Sequence, residues 1–323
     1  DFKAGSASGE LGGQRSPGGR RRLGSKGVGR FASQRLGTRL DLTTRTASVA
    51  SRLVAEFDWS LIEEPGTYLE DMRIPWREKR CPKSDPSGTR LAISGLRDAW
   101  SPERFEKLRV ALSRLVSPDR VGNPFEITLS IEGSSETIGS LIESTVPMYS
   151  LVGQVDENGQ ATMTWLDLQG NREEWVREVL WPEGSERNCG PFQFRFSAWD
   201  LDRPALLQYF SLTGSKLGLR DFRRSLRDHT GVSLYRDGFR ILPYGEPDND
   251  WLRLDRRRVN NPTLRLSNNQ LIGVILLGAD ENAELRDQTN REGLVANAAY
   301  EHLREVVCEL VGYLENRRFS SRR

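Results

Sequence analysis

Apolar residues recur along this chain at two spacings, and each spacing predicts an element. Val28, Phe31, Ala32 and Leu36 fall at i, i+3, i+4 and i+8, one stripe of a short helix that Gly37 can stop. "TRLDLTT" alternates Leu40, Leu42 and Thr44, and "SRLVAEFDW" alternates Leu53, Ala55, Phe57 and Trp59, so both read as half-buried strands. Residues 63–86, rich in proline and charge, read as irregular. "SGTRLAISGL" predicts a strand opened by Gly88 and Thr89. In "SPERFEKLRVALSRLVSP" Ser101 is a fitting N-cap, Pro102 suits the first turn, Phe105, Leu108, Leu112 and Leu115 share a face, and Pro118 ends the helix.

From Val121 the texture changes to strands and turns. "FEITLSI" and "QFRFSAW" alternate, while "DENG" at 156–159 and "RDG" at 236–238 suit hairpin turns. "LGLRDFRRSLRDHTG" reads as a helix stopped by Gly231, and "LIGVILLGA" as a buried strand. A long helix from Asn290 carries Leu303, Val307, Leu310 and Leu314 on one stripe, and the final "RRFSSRR" reads as frayed. These elements place a domain boundary near 117–124, with residues 1–120 and 121–323 as separate α/β (α+β) domains.

Composition supports two cored domains: the chain has 323 residues, 37% of them hydrophobic, and eight tryptophans. The longest apolar run, about nine residues near Leu271–Ala279, is too short for a spanning helix, and nothing resembles a signal peptide, so a cytoplasmic protein without membrane contact is predicted. Cys81, Cys189 and Cys308 are odd in number and far apart, which suggests neither a disulfide framework nor a zinc site. His229 and His302 are isolated and read as ordinary surface or helix residues. Formal net charge is only +2, but residues 1–40 hold nine Lys and Arg against Asp1 and Glu10.

That basic excess surrounds "GSKGVGRFASQRLG", residues 24–37. Lys26 stands between Ser25 and Gly27, the wrong order for a Walker A loop, and no strand precedes the glycines as a dinucleotide fingerprint requires. What the stretch shares with other anion-binding loops is a run of free backbone N–H groups, a helix N-terminus and one ammonium. The competing reading is a solvated arginine-glycine segment. Residues 1–23, rich in Gly, Ser and Arg, are predicted to be mobile.

The order of parts, a glycine-lysine loop into a short helix, strands, a Gly-Thr strand, an amphipathic helix and a strand-rich second domain, resembles the GHKL ATPases. These include gyrase B subunits, ninety-kilodalton heat-shock chaperones, histidine kinases, MutL and MORC proteins. The resemblance implies the C-terminal part of a Bergerat-type ATPase α/β sandwich, with residues 1–23 in a basic lid segment, followed by a transducer-like α/β domain. It implies that Gly24, Ser25, Lys26, Gly27, Val28, Gly29, Arg30 and Phe31 form a lid over ATP phosphates and that Thr89 helps seat the adenine. "GVILLGADENAELRDQTNREGL" is similar to the chaperone segment whose arginine reaches the terminal phosphate, which gives that role to Arg291. Gln270 is a further contact expected to sense nucleotide, against the plainer reading that it closes a turn. Implied ligands are ATP and Mg2+, and implied partners are DNA or a client protein, with nucleotide-dependent homodimerisation into a clamp. Family members carry a catalytic Glu, a metal-binding Asn and a D-x-G-x-G segment ahead of the lid. None precedes Gly24, so the chain is expected to be truncated at its N-terminus.

A second function class is a nucleic-acid-binding module without catalysis, suggested by "GGRRRLGSKG", "RDFRRSLRD" and "LDRRRV". Its weakness is that aromatic residues do not interleave the basic runs and acids nearly balance bases overall.

Overall fold

The computed structural model describes residues 28–62, 74–116, 126–139, 146–179, 181–182, 188–288 and 293–322. It mixes helices and sheets, as an α/β or α+β protein does. Contacts divide the chain into two compact units, Asp1–Phe105 and Glu106–Arg323. Among the described residues no helix is long and apolar enough to cross a membrane.

In the first unit a 3-10 helical turn, Val28–Arg35, leads through Leu36 into β1 (Gly37–Arg45). β2 (Ser51–Asp58), β3 (Trp76–Arg80) and β4 (Gly88–Leu96) complete a sheet of order β3-β2-β1-β4 in which every pairing is antiparallel. Leu40, Leu42, Leu53, Ala55 and Phe57 do alternate onto one face, where they pack with Trp59, Ile74 and Ile93. β3 falls inside the stretch read as irregular. All five of its residues are exposed on an edge strand, so no inward-outward alternation marks it in the sequence.

α1 (Pro102–Leu115) begins at the expected cap, with the Arg104 amide 3.4 Å from the Ser101 hydroxyl. The units divide inside this helix, ahead of the boundary read near 117–124, because its last turns are tied to the second unit. Arg109 pairs with Glu136 at 2.6 Å, and Arg114, 8% exposed, reaches Glu246 at 2.7 Å.

The second unit opens with a hairpin, β5 (Ile127–Ile131) and β6 (Ser134–Ile138), turned at Glu132-Gly133 where both residues have positive φ. Its main sheet is built from β7 (Tyr149–Val155), β8 (Gln160–Asp167), β9 (Arg172–Glu178), β10 (Phe192–Ala198), β11 (Gly231–Arg236), β12 (Phe239–Ile241) and β13 (Leu271–Leu277). Strand order is β12-β11-β13-β10-β7-β8-β9, with β11 and β13 parallel and the rest antiparallel. α2 (Arg203–Thr213) and α3 (Leu219–His229) pack Leu206, Tyr209, Phe222 and Leu226 on one side with Trp199 and Ile272. α4 (Leu254–Asn260) and α5 (Ala298–Ser321) join the larger core with Phe192, Phe194, Phe196 and Ile275. α2 escapes the sequence reading because its buried stripe is only two residues wide.

α5 departs from expectation at both ends. It begins at Ala298, capped by Asn297, whose side chain accepts from the Tyr300 amide at 2.9 Å. The helix therefore does not start at Asn290-Arg291-Glu292. At the other end "RRFSSRR" is not frayed: helix continues to Ser321, and Arg318, 3% exposed, meets Asp200 at 2.7 Å. One turn earlier Glu315 is wholly buried and accepts from Arg257 at 3.1 Å, Arg265 at 2.5 Å and the Leu266 amide at 2.9 Å. Removing one member of such a cluster leaves an uncompensated charge inside the protein. Glu315→Ala is expected to destabilise the second unit by about 3–5 kcal/mol, and Glu315→Gln by less, since it keeps an acceptor for Leu266. Urea unfolding followed by fluorescence of Trp165 and Trp199 checks both.

Candidate functional site

Among the sequence-identified residues, Thr89 stands in the best-defined setting. It is the second residue of β4, opposite Thr44 of β1, and the two hydroxyls are 2.8 Å apart. Gly88, before it, has φ +145 and open space where a side chain would project, so the chain at this corner is accessible. At the same corner, on the Thr43 and Arg45 face of β1, lies a cleft of about 290 Å³ lined by Thr43, Arg45, Arg52, Asp85, Pro86, Ser87, Gly88, Thr89 and Arg90. Its size suits part of a ligand, a base or a phosphate, rather than a whole nucleotide.

Three arginines, Arg45, Arg52 and the exposed Arg90, give the cleft its charge. Arg45 ends β1 and is 8% exposed. Its guanidinium donates to the Lys83 carbonyl at 3.0 Å and to the Asp85 carbonyl, so the segment after β3 holds it in place. Its Nε is buried with no hydrogen-bond partner, and among the described residues no carboxylate pairs with it. Arg52 of β2 is half-exposed and paired with the Asp85 carboxylate at 2.9 Å. Three guanidinium groups thus line the cleft with one carboxylate, so the site carries a surplus positive charge. That combination can accept an anion or a polar planar group. Sequence reasoning missed Arg45, Arg52 and Asp85; the only available signal was an arginine closing an alternating strand at the position where Gly88-Thr89 pairs with it.

The other candidates separate. Of the lid, Val28, Gly29, Arg30 and Phe31 are placed as backbone in the helical turn. Residues 1–23, Gly24, Ser25, Lys26 and Gly27 lie outside the described residues, as does Arg291. Gln270 belongs to the second unit, 4% exposed, in a capping box with Ser267: its Oε1 accepts from the Ser267 amide at 3.3 Å and its Nε2 donates to the Trp199 carbonyl at 3.1 Å. This is the turn-closing arrangement.

The cysteines and histidines have structural settings. Burial pushes the Cys189 thiol up to about 12, so it holds its proton at neutral pH. Its amide donates to His302 Nδ1 at 3.0 Å, and its carbonyl accepts from Asn282. Burial holds His229 below its ordinary range, and its Nδ1 lies 2.5 Å from the Ser225 carbonyl. Among the described residues no three His, Cys, Asp or Glu side chains converge as ligands. Neither a family model nor a curated protein matches the chain.

The two sides of the cleft differ in what they do for folding. Thr89→Val removes one exposed hydroxyl contact and is expected to cost under about 1 kcal/mol, whereas Arg45→Ala strips two carbonyls of their donor and is expected to cost about 1–3 kcal/mol. Chemical unfolding of both variants checks the contrast.

Proposed function

We propose that the first unit binds an adenine nucleotide in the manner of GHKL ATPases, with Thr89 on the adenine side and the loop from Gly24 to Phe31 at the phosphates. The observation that carries the reading is the cleft at the Gly88–Thr89 corner, whose buried cation, Arg45, lacks a carboxylate partner. The open Gly88 corner leaves room for a flat group, and the surplus positive charge suits a ligand that is anionic overall.

Only Leu36 separates the helical turn from β1. Arg97 holds this junction, donating from Nε to the Gln34 carbonyl at 2.7 Å and from its amide to the Leu36 carbonyl at 3.0 Å.

Bound ATP brings Mg2+ with it; the resemblance assigns the metal-binding Asn and the catalytic Glu to residues ahead of the lid, so binding is the part proposed for the residues on hand. A cytoplasmic setting agrees with the three free cysteines. Nucleotide-dependent homodimerisation is the corresponding expectation for assembly.

Titration calorimetry of the 323-residue chain with ATP and adenosine, magnesium present, tests the reading. Lys26→Ala should weaken ATP by roughly 10- to 100-fold, the value of a lost charge-assisted contact, and leave adenosine within about twofold, while Thr89→Val weakens both ligands. Equal loss of ATP and adenosine on removing Lys26 gives the lysine a role in folding instead, and no ATP binding by the unaltered chain refutes the proposal.

A further inference from the structure

Three arginine runs were visible in the sequence, and the structure treats the two that fall on helices differently. In α4, Arg257 is spent on Glu315 and Arg258 donates to the Ser267 hydroxyl at 2.9 Å, so "LDRRRV" serves the fold. In α3, Arg220, Arg224 and Arg227 are all exposed, and among the described residues no carboxylate lies within ion-pair distance of any of them. Arg223, between them, is half-buried and donates to the Leu201 carbonyl at 2.6 and 3.1 Å, which pins the helix to the start of α2.

At about 100° per residue, the four arginines occupy an arc of about 100°, bounded on one edge by Asp228 and Asp221 and on the other by the buried Leu226, with the buried Phe222 roughly opposite. From Arg220 to Arg227 the stripe runs about 10 Å along the axis. Lys216, in the loop before α3, and Arg203, at the start of α2, are also exposed. Three exposed arginines without a carboxylate partner, aligned on one face of one helix, form a cationic surface.

We infer that the α3 arginine stripe is a docking surface for the phosphate backbone of duplex DNA. Guanidinium forks match phosphate oxygens two at a time, and neutralising phosphates releases condensed counterions. A B-form major groove about 12 Å wide admits a helix bearing a stripe of this length, whereas the A-form groove of RNA is too deep and narrow. A single strand calls for exposed aromatic rings to stack its bases, but Phe222 and Tyr209 are buried and Phe210 half-buried. An anionic bilayer calls for apolar side chains beside the charges. The exposed face of α3 offers only Arg, Asp and Ser; of the exposed leucines nearby, Leu217 stands alone before the helix and Leu207 and Leu212 of α2 point about 140° apart, so they form no apolar face beside the charges. The inference is independent of nucleotide binding, which is assigned to the other unit.

The test compares the full chain with R220Q/R224Q/R227Q and with a charge-matched control, R172Q/R177Q/R256Q, taken from exposed arginines of β9 and α4. Binding to a fluorescent mixed-sequence duplex is followed by anisotropy from roughly 50 to 200 mM salt, where each lost phosphate contact lowers the slope of log affinity on log salt by about 0.9. The α3 variant should lose at least about tenfold in affinity at the lowest salt and about 2–3 in slope, with unchanged melting temperature and ATP affinity, while the control stays within about twofold. D221N/D228N should tighten binding. Failure of the unaltered chain to bind the duplex, equal losses in the two triple variants, or a loss seen only with phosphatidylserine vesicles overturns the assignment.

Discussion

A charge withdrawn from water must meet an opposite charge or a set of hydrogen bonds, and in this chain arginine repeatedly imposes that constraint on the architecture. Asp200, 1% exposed, is shared by Arg318 at 2.7 Å and Arg322 at 3.1 Å while Tyr149 donates to it at 3.1 Å. Together with Glu315 it fixes the last turns of α5, and so orients the helix whose leucines and valines fill the core over the seven-stranded sheet. Glu246 plays the same part elsewhere, pairing with Arg114 at 2.7 Å and Arg240 at 2.9 Å and joining the end of α1 to the segment after β12. Burial pulls the Arg240 guanidinium below its usual range, and Glu246 works against that pull.

Against this background two places suit the ligands proposed. Arg45 is buried but has carbonyls rather than a carboxylate for company, a setting that an incoming anion completes. Arg220, Arg224 and Arg227 of α3 are neither buried nor ion-paired. One lies in each unit, so the nucleotide and the duplex proposed here would address different parts of the chain.

Much of the fold was legible. Period-two alternation marked β1, β2 and β10, and β13 stood out as an uninterrupted apolar run because both its faces are covered. The Leu303, Val307, Leu310 and Leu314 stripe marked α5, yet its ends were misplaced: a cap depends on which Asn turns its side chain back, and a basic tail is helical only when acids distant in sequence receive it. β3 was silent because an edge strand exposed on both faces carries no pattern. At the site, the Gly88-Thr89 signal located the corner of the cleft, whereas Arg45, Arg52 and Asp85 come together only through the β1–β2 pairing and the segment following β3. Gln270 drew notice as an amide before a buried strand, and its own turn uses that amide.

The central claim is that the first unit holds an adenine nucleotide between the Thr89 corner and the glycine-lysine loop. Amide hydrogen exchange of the unaltered chain, with and without saturating ATP and magnesium, tests it most directly because it reads both places at once. The account predicts added protection at residues 24–36 and at 85–90, with the exchange of α5 unchanged. No change in either segment, or protection confined to the second unit, would contradict it.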